Sequence, residues 1–197
     1  SMNYLVVDFE FTFYKRPVGR PRAFFPEIIE VGAVKLNETL NECGKLQSFV
    51  KPHFFPKHAK DAMDFCMITD ADMKKAITFP VMLKKLSAMY EAEQTFFVAW
   101  GDADYKVLNE GCSRHKLENP IIEVDYLDLA EAYKLWKDEE NTPSLKTAIM
   151  EMECVADGLA HTAFDDAYNT GKVLAKMLEK GWTYEAYLRA KELQKNN

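Results

Sequence analysis

Several common classes of protein are excluded by what this sequence lacks. Its four cysteines (Cys43, Cys66, Cys112 and Cys154) are scattered, with no C-x-x-C pair. That excludes a disulfide-stapled secreted scaffold and predicts free thiols in a cytoplasmic chain. His53, His58 and Cys66 follow no zinc spacing. No apolar run exceeds the length of a strand, far short of the ~20 residues that cross a bilayer, so no membrane partner is expected. There is no Pro-, Gly- or Ser-rich linker, low-complexity tract or internal repeat. Basic residues are outnumbered, 25 against 31 acidic, for a net charge of −6. A protein that coats nucleic acid draws its affinity from basic surface, so that class is excluded too.

What is present describes an ordinary soluble domain. Apolar residues make up 48% and charged residues 28% of 197, which predicts one domain over 1–197 with a substantial core. Residues 4–8, 28–36 and 46–50 are rich in Val, Ile, Phe and Leu between breakers and read as strands. Thr78 caps a helix running to about Glu93; FFVAW at 96–100 is a buried strand; 104–115 is helical. IIEV at 121–124 reads as a further strand, followed by helices over 126–138, 144–152, 163–179 and 183–195. Three strands followed by alternating helix and strand predict an α/β fold, a mixed sheet flanked by helices. The amphipathic tail at 182–195 either docks on the core or pairs with a second copy; a monomer is favoured over a homodimer.

Three acidic clusters stand out. Asp8-Phe9-Glu10 closes the first strand, and the period of two puts both carboxylates on one face with Phe9 on the other. Two such carboxylates repel unless a cation or proton lies between them, although a strand that has simply run into solvent would tolerate them. Asp102 and Asp104 follow the second buried strand where a helix begins; one acid there serves as a cap and the other faces the sheet. In HTAFDDAYNTGKVL, Thr162 and Asp165 have the spacing of a capping box, which leaves Asp166 in the first turn and His161 just outside the helix. Within one helix, five residues of separation would turn His161 and Asp166 about 140° apart; with His161 on a loop they can converge.

Asp-x-Glu on a first strand, an Asp after a central strand and His-x4-Asp at a late helix, in that order, resemble the DEDDh (DnaQ-like) 3′–5′ exonucleases of the ribonuclease-H-like superfamily. The resemblance spans about residues 2–178. FPEIIEVGAV at 25–34, DFEFT at 8–12, MDFC at 63–66 and TFPVMLKKL at 78–86 are similar to the branch of the RNA-interference-linked exoribonucleases and the KapD-type sporulation-inhibitor proteins. The chain departs from that branch at Ala103, where an aromatic residue is usual, and between Cys66 and Thr78, which is shorter.

The resemblance implies a ribonuclease-H-like, five-stranded mixed sheet and a metal-dependent 3′–5′ exonuclease. The chain would release nucleoside 5′-monophosphates from single-stranded RNA or short single-stranded tails. A DNA exonuclease of the same fold and a non-catalytic nucleic-acid-binding regulator are the alternatives. Phosphodiester hydrolysis needs an activated water, a neutralised phosphorus centre and a stabilised leaving oxygen, which two divalent ions can supply together. Hard carboxylate oxygens suit Mg²⁺ or Mn²⁺, so Asp8, Glu10, Asp104 and Asp166 are expected as ligands and neutral His161 as the general base. Phe9, Phe11 and Trp100 are candidates to stack on bases, with core packing the competing role for Phe9. The loop KRPVGRPR at 15–22 holds four basic residues and no acid. It is expected as an exposed loop in which Arg20 and Arg22 touch phosphates. Residues 1–60 carry +3 and 61–197 carry −9, so a local positive surface coexists with the acidic total.

Overall fold

The computed structural model describes residues 1–156 and 162–196. Five strands form one sheet in the order β3-β2-β1-β4-β5. They are β1 (Asn3–Phe11), β2 (Ile28–Leu36), β3 (Glu42–Phe49), β4 (Thr95–Ala99) and β5 (Tyr126–Asp128). The first three form an antiparallel meander, whereas β4 and β5 run parallel to β1. Around them lie α1 (Lys60–Phe65), α2 (Asp70–Lys74), α3 (Phe79–Ser87), α4 (Ala103–Arg114), α5 (Leu129–Lys137), α6 (Leu145–Glu151), α7 (Ala163–Glu179) and α8 (Tyr184–Lys195). This is the mixed, helix-flanked α/β sheet expected from the sequence.

The alternation of β1 sorts the core into two layers. Leu5, Val7 and Phe9 pack with Phe79, Met82, Leu83 and Leu86 of α3 and Tyr105 and Leu108 of α4. Val6 points the other way and joins Tyr133 of α5, Val173, Leu174 and Met177 of α7, and Trp182. Asp8 and Glu10 continue the Val6 side, so the two carboxylates face the layer that contains α7. The tail docks: Tyr187 of α8 is buried, and its hydroxyl donates to Glu131 Oε2 of α5 at 3.0 Å.

Some elements differ from the sequence expectation. The helix capped by Thr78 stops at Ser87 rather than near Glu93, because the chain turns there so that the Tyr90 hydroxyl reaches Asp125. The same turn presents the Met89 carbonyl to Lys35 Nζ. IIEV at 121–124 is not a strand. Ile121 is buried, and residues 123–125 make a 3₁₀ turn in which buried Asp125 also accepts the Glu93 N–H at 2.8 Å. The strand falls at Tyr126–Asp128, and Asp128 caps α5 by accepting the Glu131 N–H at 3.1 Å. The short helices α1 and α2 occupy the stretch around Cys66, where no element is evident from the sequence.

Candidate active site

The site is built where β1, β2 and the first turn of α7 meet. Asp8 is paired across β1 and β2 with Gly32, and Glu10 with Glu30. Gly32 is required by close approach. A Cβ there would lie 2.2 Å from the backbone of Ala163 and Phe164, so only glycine lets α7 settle onto the strand at this point. Glu30 fastens the contact: its Oε1 accepts the Ala163 N–H at 3.2 Å, satisfying one of the donors that a helix N-terminus leaves unpaired. Thr162 caps the same helix by accepting the Asp165 N–H at 3.0 Å. Among the described residues only the Thr162 half of the expected capping box forms, through the Asp165 N–H, and Asp166 in the same turn brings its carboxylate to Asp8 and Glu10.

The result is a cluster of three carboxylates. Asp8, Glu10 and Asp166 each offer an oxygen, and the three oxygens lie within 4.8 Å of one another. Among the described residues no basic side chain is bonded to Asp8, and its Oδ2 is buried without a hydrogen-bond partner. An orphaned buried carboxylate oxygen facing two further acids is costly unless a cation or a proton compensates it. Burial pushes the Asp8 carboxyl well above the ordinary range, and the charges of Asp104, Glu10, Asp166 and Glu30 push it the same way. These acids fit hard divalent cations: all donors are carboxylate oxygens, with one of them already desolvated.

Asp104 stands beside this cluster. It is buried on the first turn of α4, and its Oδ1 accepts the Phe9 N–H at 2.8 Å. Burial is the main cause that raises its carboxyl to about 7, with the Phe9 bond acting against it. The loop before α4 is held from two sides. The Gly101 N–H donates to Asp128 Oδ1 at 3.0 Å, and the Tyr126 hydroxyl donates to the Gly101 carbonyl. Asp102 occupies the N-cap position without bonding a backbone donor; it pairs with Lys106 at 2.8 Å on the surface. His161 lies outside the described residues, next in sequence to the cap Thr162.

Two residues of the site carry no obvious signal in the sequence. Glu30 is a single acid in an apolar strand, 4% exposed and paired with Glu10. Its carboxyl is pushed up to about 7, chiefly by burial, with Glu10, Asp72 and Asp166 adding and the Ala163 N–H opposing. Cys66 donates its thiol to Glu10 Oε2 at 3.2 Å. Burial, reinforced by Glu10, pushes that thiol up to about 12.

The aromatic and basic candidates are placed differently from the acids. Phe9 is 3% exposed and belongs to the core on the sheet face opposite Asp8 and Glu10, which corrects its place among the substrate-contacting side chains. Phe11 is half-buried against the same core layer. Trp100 is half-buried over Tyr133, and its Nε1–H donates to the Pro143 carbonyl at 3.1 Å. Arg20 donates to the Phe24 carbonyl at 3.3 Å and lies over the Phe24 ring, whereas Arg22 is exposed.

A mixed five-stranded sheet with acids gathered from its central strand and a late helix is the arrangement of the ribonuclease-H-like nucleases. The exonuclease family model (RNase_T) matches residues 5–174, and the chain belongs to this family, as a 3′–5′ exonuclease of the DEDDh type. The probable 3′–5′ exonuclease KapD of Bacillus subtilis is 32% identical over 183 residues, covering 91% of this chain and 86% of that protein. Human 3′–5′ exoribonuclease 1 is 26% identical over 187 residues, covering 89% of this chain, which spans only 52% of the human protein. The nuclease domain of 3′hExo, a DEDDh family member solved bound to rAMP, superposes with a TM-score of 0.75 at 26% identity. That match covers 91% of this chain and 92% of the solved one. Enzymes of this family use divalent metal ions. No described helix is long and apolar enough to cross a membrane.

Proposed function

We propose that the chain hydrolyses single-stranded RNA, or short single-stranded tails, from the 3′ end and releases nucleoside 5′-monophosphates. The observation that carries this reading is the unpartnered Asp8 Oδ2, buried within reach of Glu10 and Asp166. RNA is favoured over DNA because human 3′–5′ exoribonuclease 1 and the rAMP-bound 3′hExo domain are among the relatives.

Asp8, Glu10, Asp166 and the second oxygen of Asp104 would hold two divalent cations, Mg²⁺ or Mn²⁺. When bound, such cations neutralise the scissile phosphate and lower the pKa of a coordinated water. The chain supplies the rest. Asp8, with its Oδ2 buried and unpartnered, would be the carboxylate that a bound cation compensates most. The Phe9 N–H fixes one oxygen of Asp104, so that carboxylate presents the other in a set direction. Glu30 and Gly32 hold the first turn of α7, and with it Asp166, against β1. His161 takes the proton from the attacking water, as an imidazole does well near neutrality. A monomer acting in the cytoplasm is the setting we infer.

The test separates ligand from base. Asp8→Ala should lose both turnover and cation affinity, the latter read by calorimetric titration with Mn²⁺. His161→Ala should lose turnover by about 10²–10⁴-fold and retain cation affinity. Full activity in Asp8→Ala would reject the assignment.

A further inference from the structure

The loop at 15–22 enters the structure in an unexpected way. Its first arginine, Arg16, lines a pocket. Arg16 shares a cavity of about 220 Å³ with Tyr14, Lys57, His58, Lys60 and Asp61. Three permanent cations therefore face one another across a concave surface with a single acid in the wall. Lys60 is paired with Asp64 at 3.0 Å, but both side chains are exposed and spaced i,i+4 on α1. A pair of that kind contributes little in water and yields readily to a stronger anion. Mutual repulsion of the three cations is relieved by an anion placed between them.

The pocket has an ordered frame. The Tyr14 hydroxyl donates to the Val18 carbonyl at 3.1 Å, and Gly19 takes a φ of +84° at the turn that follows. The Tyr14 ring meets the His58 ring edge-on at 5.5 Å, and both pack on Phe24, itself against Phe55. These rings join the segment after β1 to the segment before α1. The buried Glu27 carboxylate secures the second segment by accepting the N–H groups of His53, Phe54 and Phe55 at 2.7–3.0 Å.

Both segments lead back to the carboxylate cluster. The first continues from Glu10 on β1. The second runs through the six residues of α1 to Cys66, whose thiol touches Glu10. Six helical residues span about 9 Å, which sets the pocket about 10–15 Å from Glu10. At a stacked rise of about 3.4 Å per nucleotide, that separation is about three to four nucleotides. An enzyme that removes one nucleotide from a 3′ end has the rest of its substrate strand on the 5′ side of the bond it breaks, so a strand contact at this distance falls on that side.

We propose that Arg16, Lys57, His58 and Lys60 form a binding site for a backbone phosphodiester of the single-stranded substrate, about three to four nucleotides 5′ of the scissile bond. The site deepens the exonuclease reading given above and rests on it for the direction of the strand. Binding is insensitive to sequence, because every nucleotide carries the same phosphate.

The experiment replaces three exposed cations together, Arg16→Ala, Lys57→Ala and Lys60→Ala, and offers a single-stranded RNA dodecamer and a dinucleotide. The expected result is a KM about tenfold higher on the dodecamer with kcat nearly unchanged, and unchanged kcat/KM on the dinucleotide, which is too short to reach the pocket. A labelled dodecamer titrated in EDTA should bind the variant more weakly, with the slope of log Kd against log salt smaller by about 0.7, as one neutralised phosphate requires. An unchanged Kd and salt slope would overturn the site, as would an equal loss on both substrates. The EDTA titration reads the pocket without cleavage. If wild-type protein cleaves nothing but its salt slope depends on these cations, the activity reading fails and the pocket stands.

Discussion

Glu30 offers a sharp test of how the carboxylate cluster is built. Replacing it by glutamine keeps an acceptor for the Ala163 N–H at the start of α7 but removes a buried charge. The folded protein raises the Glu30 carboxyl from 4.5 to about 7. At 1.36 kcal/mol per pH unit, the folded state is penalised by about 3 kcal/mol once the group is ionised in both states. The sign follows from the direction of the shift. Below about pH 4.5 the group is protonated folded or unfolded and costs nothing. Between 4.5 and 7 the unfolded chain ionises first, so stability falls as pH rises, and above 7 the penalty is complete. Glu30→Gln should therefore melt with wild type at pH 4.5 and about 6–12 °C higher at pH 8, at about 2–4 °C per kcal/mol for a chain this long. Thermal unfolding in EDTA at several pH values measures this. Adding Mg²⁺ or Mn²⁺ should narrow the gap, because cations held by Glu10 and Asp166 offset two of the charges acting on Glu30. A difference independent of pH, or a less stable variant at pH 8, would refute the reasoning.

Two further outcomes follow from the contacts around Glu10 and α7. Gly32→Ala should cost at least 1–3 kcal/mol, because its Cβ would sit 2.2 Å from the backbone of α7, and the resulting shift of Asp166 by about 1 Å should cut turnover by about 10²-fold; denaturant melts and steady-state kinetics measure the two effects. Cys66, with its thiol pushed up to about 12, should resist alkylation at pH 8 while the exposed Cys43 reacts. Its labelling should speed up when Mg²⁺ compensates Glu10, read by mass spectrometry of the labelled peptides.

The sequence exposes those parts of the site whose chemistry follows a local period. Alternation along β1 places Asp8 and Glu10 together, and the Thr162 cap fixes where α7 begins, which puts Asp166 in the first turn beside them. Glu30 and Gly32 are not legible in the same way. Their roles depend on β2 pairing in one register with β1 and on α7 landing across both, contacts separated by about 130 residues in the chain. A lone acid in the apolar run IIEVGAV is the one local hint, since a strand buried on both faces carries a charge only at a cost. The apolar run at 121–124 misleads for a related reason. Short apolar stretches do not distinguish a strand from a sealed loop, and here Ile121 is fixed by the Tyr105 hydroxyl donating to its carbonyl at 2.8 Å. The GRPR segment draws attention to Arg20 and Arg22, but the Phe24 ring holds Arg20, and it is Arg16 that reaches the cavity.

Removal of nucleotides one at a time from a 3′ end by this carboxylate cluster can be read directly. The direct measurement incubates 5′-labelled single-stranded RNA and its DNA counterpart with purified protein and Mg²⁺ or Mn²⁺, then resolves the products. A ladder shortening from the 3′ end is expected, faster on RNA, with nucleoside 5′-monophosphates released and no ladder from Asp8→Ala. A 5′-end product pattern, internal cleavage, or an equal ladder from Asp8→Ala would contradict it.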